Sequence, residues 1–286
     1  MTLGELIERL AGRFAAASLH FGHGTDNAHD EAAWLALRGL GLPFAADLAR
    51  PLDEAALARI ESLVVKRIAE RTPVAYLLKE AWLAGMPFYV DERVIVPRSH
   101  IAELLKDKWL VKARVGKILD LCTGCGCLAV LAARAFPQAL VDAVDLSPAA
   151  LAVARKNVVR HRVARRVRMR RSDLFSALSE RRYDLILANP PYVSAGAMAA
   201  LPPEYCHEPR LALAGGKDGL DLVARIIAAA PSHLACGGRL VCEVGDGKRA
   251  LERKFPRLRL SWPKPEVFIY EPPRTAGASR TLANRA

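Results

Sequence analysis

Apolar side chains recur at helical spacing along the first part of the chain. One face of a first helix is formed by Leu3, Ile7, Leu10 and Phe14. A second segment, "DEAAWLALRGLGLP" (30–43), ends in the Gly-then-Pro pattern that stops helices. A third helix is expected after Asp53, a candidate N-cap, and its apolar positions are Leu57, Ile60, Val64 and Ile68. The pattern predicts an N-terminal helical domain over residues 1–78.

The pattern changes at "AWLAGMPFYVDERVIVPRS" (81–99), where aromatic and β-branched residues flank Gly85, Met86 and Pro87. Such a run predicts a hairpin or a pair of short strands. We assign residues 79–100 to a hairpin linker between two domains.

Short strand-like runs with helical stretches between them begin near residue 115. They are "KILDLC" (117–122), "ALVDAVDL" (139–146), "RVRMRRSDLF" (166–175), "YDLILANP" (183–190), "GRLVCEVG" (238–245) and "EVFIYEP" (266–272). This alternation predicts an α/β fold with a mostly parallel sheet that is covered on both faces. We place this domain at residues 101–274 and a loose tail at residues 275–286.

The composition is that of a globular protein, because 52% of the 286 residues are hydrophobic. No apolar run reaches the length of a membrane span, and the N-terminus carries acidic residues in place of a signal peptide's apolar core. Six cysteines in a chain of this size fit reduced thiols. We therefore expect a cytoplasmic protein that has no membrane contact.

The formal charge of +12 is concentrated in "KNVVRHRVARRVRMRR" (156–171), which has eight Lys or Arg residues and no acid. Such a surface could meet RNA or an RNA-containing particle. A solvated helix and strand edge would carry the same charges. The stretch has no interleaved aromatic residues to stack on bases, which favours the solvated surface.

A glycine-rich turn follows the first strand of the sheet, in "DLCTGCGCLA" (120–129). Gly124 and Gly126 would let the backbone approach a ligand at a helix N-terminus. Asp145 ends the next strand, where an acid can bind ribose hydroxyls. With Ala129 the turn also satisfies the dinucleotide fingerprint, so a nicotinamide-dependent dehydrogenase is an alternative at this point.

Cys122, Cys125 and Cys127 in the same turn could supply thiolates to a metal ion. A structural zinc site needs four ligands in paired knuckles, and the adjacent pair Cys206 and His207 stands far downstream. We therefore predict no metal site and interpret the three cysteines as small residues in a crowded turn.

Asp173 closes another strand-like run in "SDLF" (172–175). At the carboxyl end of a strand its carboxylate could accept a hydrogen bond from an adenine amino group. An N-cap role at the start of a helix is an equally good interpretation, and the two roles are compatible.

The segment "ILANPPYV" (186–193) places an amide, two prolines and an aromatic ring at the end of a buried strand. Because prolines lack an N–H group, the strand should stop at Asn189. The Asn189 side-chain oxygen and the Pro190 carbonyl could hold a planar nitrogen in their common plane, with Tyr192 over its face. A plain turn would also use Asn and Pro. The position at the ligand-binding edge of the sheet favours methyl transfer.

Together, "DLCTGCG", "VDAVDLS", "SDLF" and "LANPPYV" resemble the motifs of class I S-adenosylmethionine-dependent methyltransferases that carry Asn-Pro-Pro-Tyr. Residues 71–105 and 208–221 are similar to the linker and the post-motif segment of protein glutamine methyltransferases. The resemblance covers nearly the whole chain. It implies a Rossmann-like, mostly parallel seven-stranded methyltransferase sheet, S-adenosyl-L-methionine as cofactor, and N-terminal helices that help to recognise a protein substrate.

The motifs and the resemblance assign the site residues. Catalytic roles are expected for Asn189, Pro190 and Tyr192, and Pro191 joins them in binding the substrate. Cofactor contacts are expected from Asp120, Thr123, Gly124, Gly126, Asp145, Asp173, Leu174 and Asn189.

The segment "VPRSHIAELL" (96–105) is similar to the branch that methylates a glutamine of the third large-subunit ribosomal protein. We therefore expect that substrate, with contact to ribosomal RNA or an assembling particle as a further possibility. The other branch, which methylates peptide release factors at a Gly-Gly-Gln motif, is the alternative. More distant alternatives are an adenine-amino methyltransferase that acts on nucleic acid and a non-enzymatic RNA-binding protein.

Overall fold

The computed structural model describes residues 1–106, 110 and 115–273 of the chain. Four helices come first: α1 Leu3–Ala16, α2 Ala28–Gly39, α3 Glu54–Ala69 and α4 Val74–Leu78. Helix α1 begins with a capping box, in which Thr2 and Glu5 each accept the other's backbone N–H. The predicted apolar face of α1 is buried, and the Asp53 carboxylate caps α3 by accepting from the Ala56 N–H at 2.8 Å. Both helix predictions are confirmed.

A short antiparallel hairpin follows, formed by β1 Ala81–Leu83 and β2 Met86–Phe88. Gly85 makes the turn with a φ of +76°, a conformation that glycine adopts without steric cost. The hairpin lies where the aromatic and β-branched runs predicted it.

The remaining strands form one seven-stranded sheet. They are β3 Lys117–Leu121, β4 Leu140–Asp145, β5 Val167–Arg171, β6 Tyr183–Ala188, β7 Leu234–Glu243, β8 Leu260–Lys264 and β9 Val267–Tyr270, and they lie in the order β5-β4-β3-β6-β7-β9-β8. The first five strands in this order, from β5 through β4, β3 and β6 to β7, pair in parallel. Strand β9 pairs antiparallel with both β7 and β8. The predicted mostly parallel seven-stranded sheet is confirmed.

Within the described part of the chain, six further helices accompany the sheet. Among the described residues they are α5 Ile101–Lys106, α6 Cys127–Ala135, α7 Pro148–Arg160, α8 Ala195–Ala199, α9 Asp221–His233 and α10 Lys248–Lys254. Short 3-10 helices at Pro203–His207 and Arg210–Ala212 follow α8. No helix in the described ranges is long and apolar enough to cross a membrane.

The hydrophobic pattern of the sequence did not predict strand β8. Its sequence, "LSWPK", contains Pro263, and its side chains are half-buried or exposed without alternation. Proline cannot donate to a strand ladder, so it is confined to edge strands. Strand β8 lies at the edge of the sheet, where β9 is its one neighbour among the described strands.

Neighbouring residues of β3 point into different cores, as the alternation of a strand requires. Ile118 packs in a cluster that contains Leu10 of α1, and Leu119 packs on the other face with Ile226 and Phe268. The N-terminal helices therefore share one continuous core with one face of the sheet. The boundaries drawn at residues 78 and 100 stay predictions, and the predicted tail lies outside the described residues.

The Lys/Arg-rich stretch (156–171) covers the end of α7 and the edge strand β5. Most of its Lys and Arg side chains are exposed, but Arg166 is half-buried. Its guanidinium donates to three carbonyl oxygens at and after the end of α6, those of Ala133, Phe136 and Ala139 (2.6, 3.3 and 3.4 Å). A cation there stabilises the helix terminus. The Arg166 side chain thus binds backbone carbonyls of the protein, unlike the exposed cations around it.

Candidate active site

The strand order reverses between β3 and β6. After β3 the chain adds β4 and β5 on one side, and it then adds β6 and β7 on the other side. Leu121 and Ala188 are paired residues at the carboxyl ends of these two strands. The glycine-rich turn and Asn189 therefore leave the sheet side by side. In open α/β sheets this switch point is where ligands bind.

The glycine-rich turn is held by the end of β4. The Gly124 N–H donates to Asp145 Oδ2 at 2.9 Å, and the Ser147 N–H donates to Asp145 Oδ1 at 2.9 Å. Burial raises the pKa of Asp145 above its usual value. Gly124 has a φ of +54° and lines the cavity above the turn together with Thr123 and Asp145.

Two predicted cofactor residues lie beneath this turn and do not line the cavity. Asp120 is fully buried, and its Oδ2 accepts from the Thr123 hydroxyl (2.5 Å) and the Ala129 N–H (3.0 Å). A Cβ on Gly126 would lie 3.0 Å from Ala154 Cβ in α7. Asp120 therefore stabilises the turn, and Gly126 permits close helix packing.

The three cysteines occupy the same turn, where Cys125 and Cys127 are buried. Burial raises the pKa of the Cys122 thiol, so it is protonated at physiological pH. Asn157 of α7 holds the turn from behind, since its Nδ2 donates to the carbonyls of Cys125 (2.8 Å) and Tyr89 (2.9 Å). Sequence reasoning missed Asn157, which lies within the Lys/Arg-rich stretch but is buried.

Asp173 lines the same cavity, but its predicted N-cap role is wrong because no helix begins after it. Its Oδ2 accepts from Arg225 Nη2 of α9 at 2.8 Å, and both side chains are about half exposed. Leu174 lies beside it with a φ of +49° and also lines the cavity.

Asn189 follows β6 directly, and its Nδ2 donates to the Arg98 carbonyl oxygen at 3.3 Å. Within the described residues no hydrogen bond occupies its Oδ1. Asn189 lines the cavity above the glycine-rich turn, as Pro191 does. It also lines a second cavity, together with Pro190 and Tyr192.

Four residues belong to the walls of both cavities: Ile95, Arg98, Asn189 and Ala212. Asp145 and the glycine-rich turn line the first cavity, and Tyr192 and Tyr205 line the second. Two ligands bound in these cavities would meet at Asn189. The sequence predicted that these motifs form one site, but it did not show that their residues line two adjoining cavities.

Two glycines pack closely against Tyr192, Gly245 against its ring and Gly215 against its backbone. A Cβ on Gly245 would lie 2.7 Å from Tyr192 Cε2, and one on Gly215 would lie 2.7 Å from Tyr192 Cα. Burial, reinforced by Glu243, raises the pKa of Tyr192 to about 12. The phenol is therefore neutral at physiological pH.

Sequence reasoning also missed the ion pair between Arg98 and Glu208. The two residues are 110 positions apart, and their bonds are 2.5 and 2.7 Å long. Glu208 begins the segment "EPRLAL", which pointed to a family resemblance but not to a partner.

Comparison with known proteins agrees with this geometry. Residues 101–201, which contain both the turn and Asn189, match the family model described as methyltransferase small domain. The methyltransferase-domain match supports S-adenosylmethionine as the methyl donor and excludes the dehydrogenase alternative. The hMettl16 catalytic domain, solved with a MAT2A 3'UTR hairpin, has a TM-score of 0.50 at 13% identity over 76% of this chain and 81% of that one. That similarity concerns the fold alone.

Two of the relatives align with this chain over most of its length. Ribosomal protein uL3 glutamine methyltransferase of Bordetella pertussis is 50% identical over 270 residues, covering 91% of this chain and 90% of that protein. The protein of the same name from Burkholderia pseudomallei is 49% identical over 277 residues, with 91% and 90% covered. The chain therefore belongs to the family of the ribosomal protein uL3 glutamine methyltransferases.

Proposed function

We propose that this protein uses S-adenosylmethionine to methylate the side-chain amide nitrogen of a glutamine in ribosomal protein uL3, and that it does so in the cytoplasm. The observation that carries the proposal is the place of Asn189 in the wall common to the two cavities. A methyl donor in the first cavity and a planar amide in the second would both contact this residue. The names of the relatives support the choice of substrate.

The first cavity suits the chemical groups of S-adenosylmethionine. Asp145 offers carboxylate oxygens for ribose hydroxyls, and Asp173 offers an acceptor for an amino group. The N-terminus of α6 lies at the same cavity, where Cys127 and Leu128 form part of the wall, and helix N-termini favour polar and anionic groups of a ligand. The cavity walls are otherwise largely apolar, which suits an adenine ring. When bound, the sulfonium supplies an electrophilic methyl group.

Asn189 Oδ1 and the Pro190 carbonyl are the acceptors proposed to hold the two hydrogens of the substrate amide. Two neutral hydrogen bonds contribute only about 1 kcal/mol each to binding. Their larger effect is orientation, since alignment of reacting atoms lowers a barrier by several kcal/mol. Tyr192 covers the face of the flat amide. No general base is needed beforehand, because the nitrogen becomes more acidic once it is methylated and releases its proton afterwards.

Labelled S-adenosylmethionine, incubated with the protein and ribosomal extract from cells that lack it, tests the proposal. We expect the label in uL3, on a glutamine, and not in a uL3 variant with that glutamine replaced. Label in a release factor at Gly-Gly-Gln, or in adenine of RNA, would replace this substrate with an alternative. Absence of label from every fraction would contradict the proposed activity.

A further inference from the structure

We propose that Glu208 and Arg98 are positioning residues that fix the orientation of the Asn189 side-chain amide. The proposal rests on the proposed function, because Asn189 is taken to bind the substrate amide. Neither residue needs to touch the substrate glutamine for this role.

The first contact lies between Asn189 and the backbone of Arg98. Asn189 Nδ2 donates to the Arg98 carbonyl oxygen at 3.3 Å. A side-chain amide carries its oxygen and its nitrogen on opposite branches of one plane. The Arg98 carbonyl therefore decides which atom of Asn189 is left as the free acceptor. A flipped amide would present donors to the donors of a substrate amide.

The second contact holds Arg98 in place. Arg98 Nη1 and Nη2 donate to Glu208 Oε1 (2.7 Å) and Oε2 (2.5 Å), and the Val96 N–H donates to Glu208 Oε1 at 2.8 Å. A paired fork of this kind fixes direction as well as distance. The Glu208 side chain has no exposed surface. One carboxylate thus fixes both the side chain of Arg98 and the backbone two residues before it.

The surroundings of the pair leave Arg98 as the cation nearest to Glu208. His23 Nε2 lies 3.8 Å from Glu208 Oε1, but burial lowers the pKa of His23 to about 3, so its ring is neutral. The Arg98 guanidinium also lies over the Tyr205 ring, 5.3 Å from its centre, in the wall of the second cavity. A buried ion pair contributes little net stability compared with apolar packing. Its fixed geometry is the property that the site uses.

Glu208→Gln and Arg98→Lys test the proposal. Gln keeps an acceptor for Val96 but turns an NH₂ group toward the guanidinium, and Lys keeps the charge without the fork. The matched control is Glu80→Gln. Glu80 forms a similar fork with Arg38 (2.8 and 3.2 Å) and lines neither cavity.

We expect both site variants to lower the single-turnover methylation rate by as much as about 100-fold at saturating cofactor. The control should keep the wild-type rate. The Asn189 side-chain NH₂ resonance, identified by its loss in Asn189→Asp, should shift in both site variants and stay in place in the control. Thermal melting measures the folded fraction of each variant, and Arg98→Lys decides the question if Glu208→Gln does not fold.

Wild-type rates and an unmoved Asn189 resonance in folded site variants would overturn the positioning role. An equal loss of rate in Glu80→Gln would do the same, because it would show a general effect of stability. A wild-type protein that does not methylate uL3 would instead overturn the proposed function, and the resonance would still decide whether Glu208 orients Asn189.

Discussion

The ring of Tyr192 lies against Gly245, in the space that a side chain at position 245 would take. A Cβ there would be 2.7 Å from Tyr192 Cε2 and 2.9 Å from Cδ2. These separations are shorter than carbon atoms tolerate. The absence of a side chain at residue 245 therefore sets the position of the aromatic wall of the second cavity.

Gly245→Ala should displace the Tyr192 ring and lower single-turnover methylation by on the order of 10-fold. Gly237→Ala is the matched control, because Gly237 also has a positive φ (+73°, against +50° for Gly245) but has no atom within 4 Å of an added Cβ. Both changes should cost about 1–2 kcal/mol of stability from backbone strain. Equal activity in the two variants would show that the contact with Tyr192 has no role.

Asn189→Ala should nearly abolish turnover and leave cofactor affinity almost unchanged, since it removes the free Oδ1 acceptor. Asn189→Asp keeps an acceptor but adds a charge, and its loss should be intermediate or severe. Tyr192→Phe should be milder than Tyr192→Ala, because the ring face is the proposed contact. Single-turnover rates with saturating cofactor measure this order. A near-normal rate for Asn189→Ala would leave the motif a structural turn.

Asp145→Ala should weaken S-adenosylmethionine binding by roughly 10- to 100-fold, the loss expected for a charged hydrogen-bond partner. The change removes the proposed ribose acceptor and the bond that holds Gly124. Asp142→Ala, on the same strand but outside the cavity lining, is the control. Calorimetry on the folded variants measures both affinities. Unchanged binding in Asp145→Ala would remove Asp145 from the cofactor site.

The pH dependence of stability should reveal Asp120. Burial raises the pKa of its carboxyl from 3.8 to about 7, so the folded protein retains a proton that the unfolded chain releases between those values. The contribution to stability is thus full below about pH 4 and is lost as the pH rises through about 7. Asp120→Asn should flatten the fall in unfolding free energy across this window, measured by urea denaturation. Parallel curves for the two proteins would contradict the assignment.

If the Lys/Arg-rich stretch contacts RNA, binding to ribosomal particles should weaken steeply with salt. Replacing the exposed Arg165, Arg168 and Arg170 by Ala should then flatten the slope of log affinity against log salt. Arg166→Ala should lower the melting temperature and leave that slope nearly unchanged, because Arg166 donates to carbonyl oxygens at and after the end of α6. An unchanged slope in the triple variant would show that these arginines do not contact RNA and are only solvated surface residues.

Local patterns were sufficient for most of the elements. The apolar face of α1, the cap at Asp53 and the hairpin turn at Gly85 depend on residues close together in sequence. Strand β8 was missed because Pro263 and its half-exposed side chains produce no alternation, and only pairing with β9 makes it a strand.

The sequence by itself determined the strand-and-helix order, the glycine-rich turn and the Asn-Pro-Pro-Tyr motif, because each depends on residues that are close together in the chain. Only the tertiary structure decided that Asn189 divides two cavities, that Asp120 and Gly126 support the turn from beneath, and that Arg98 pairs with Glu208. These relationships join residues up to 110 positions apart. Periodicity and capping describe a chain over one or two turns, whereas a contact of that range exists only after the strands have paired and the helices have packed.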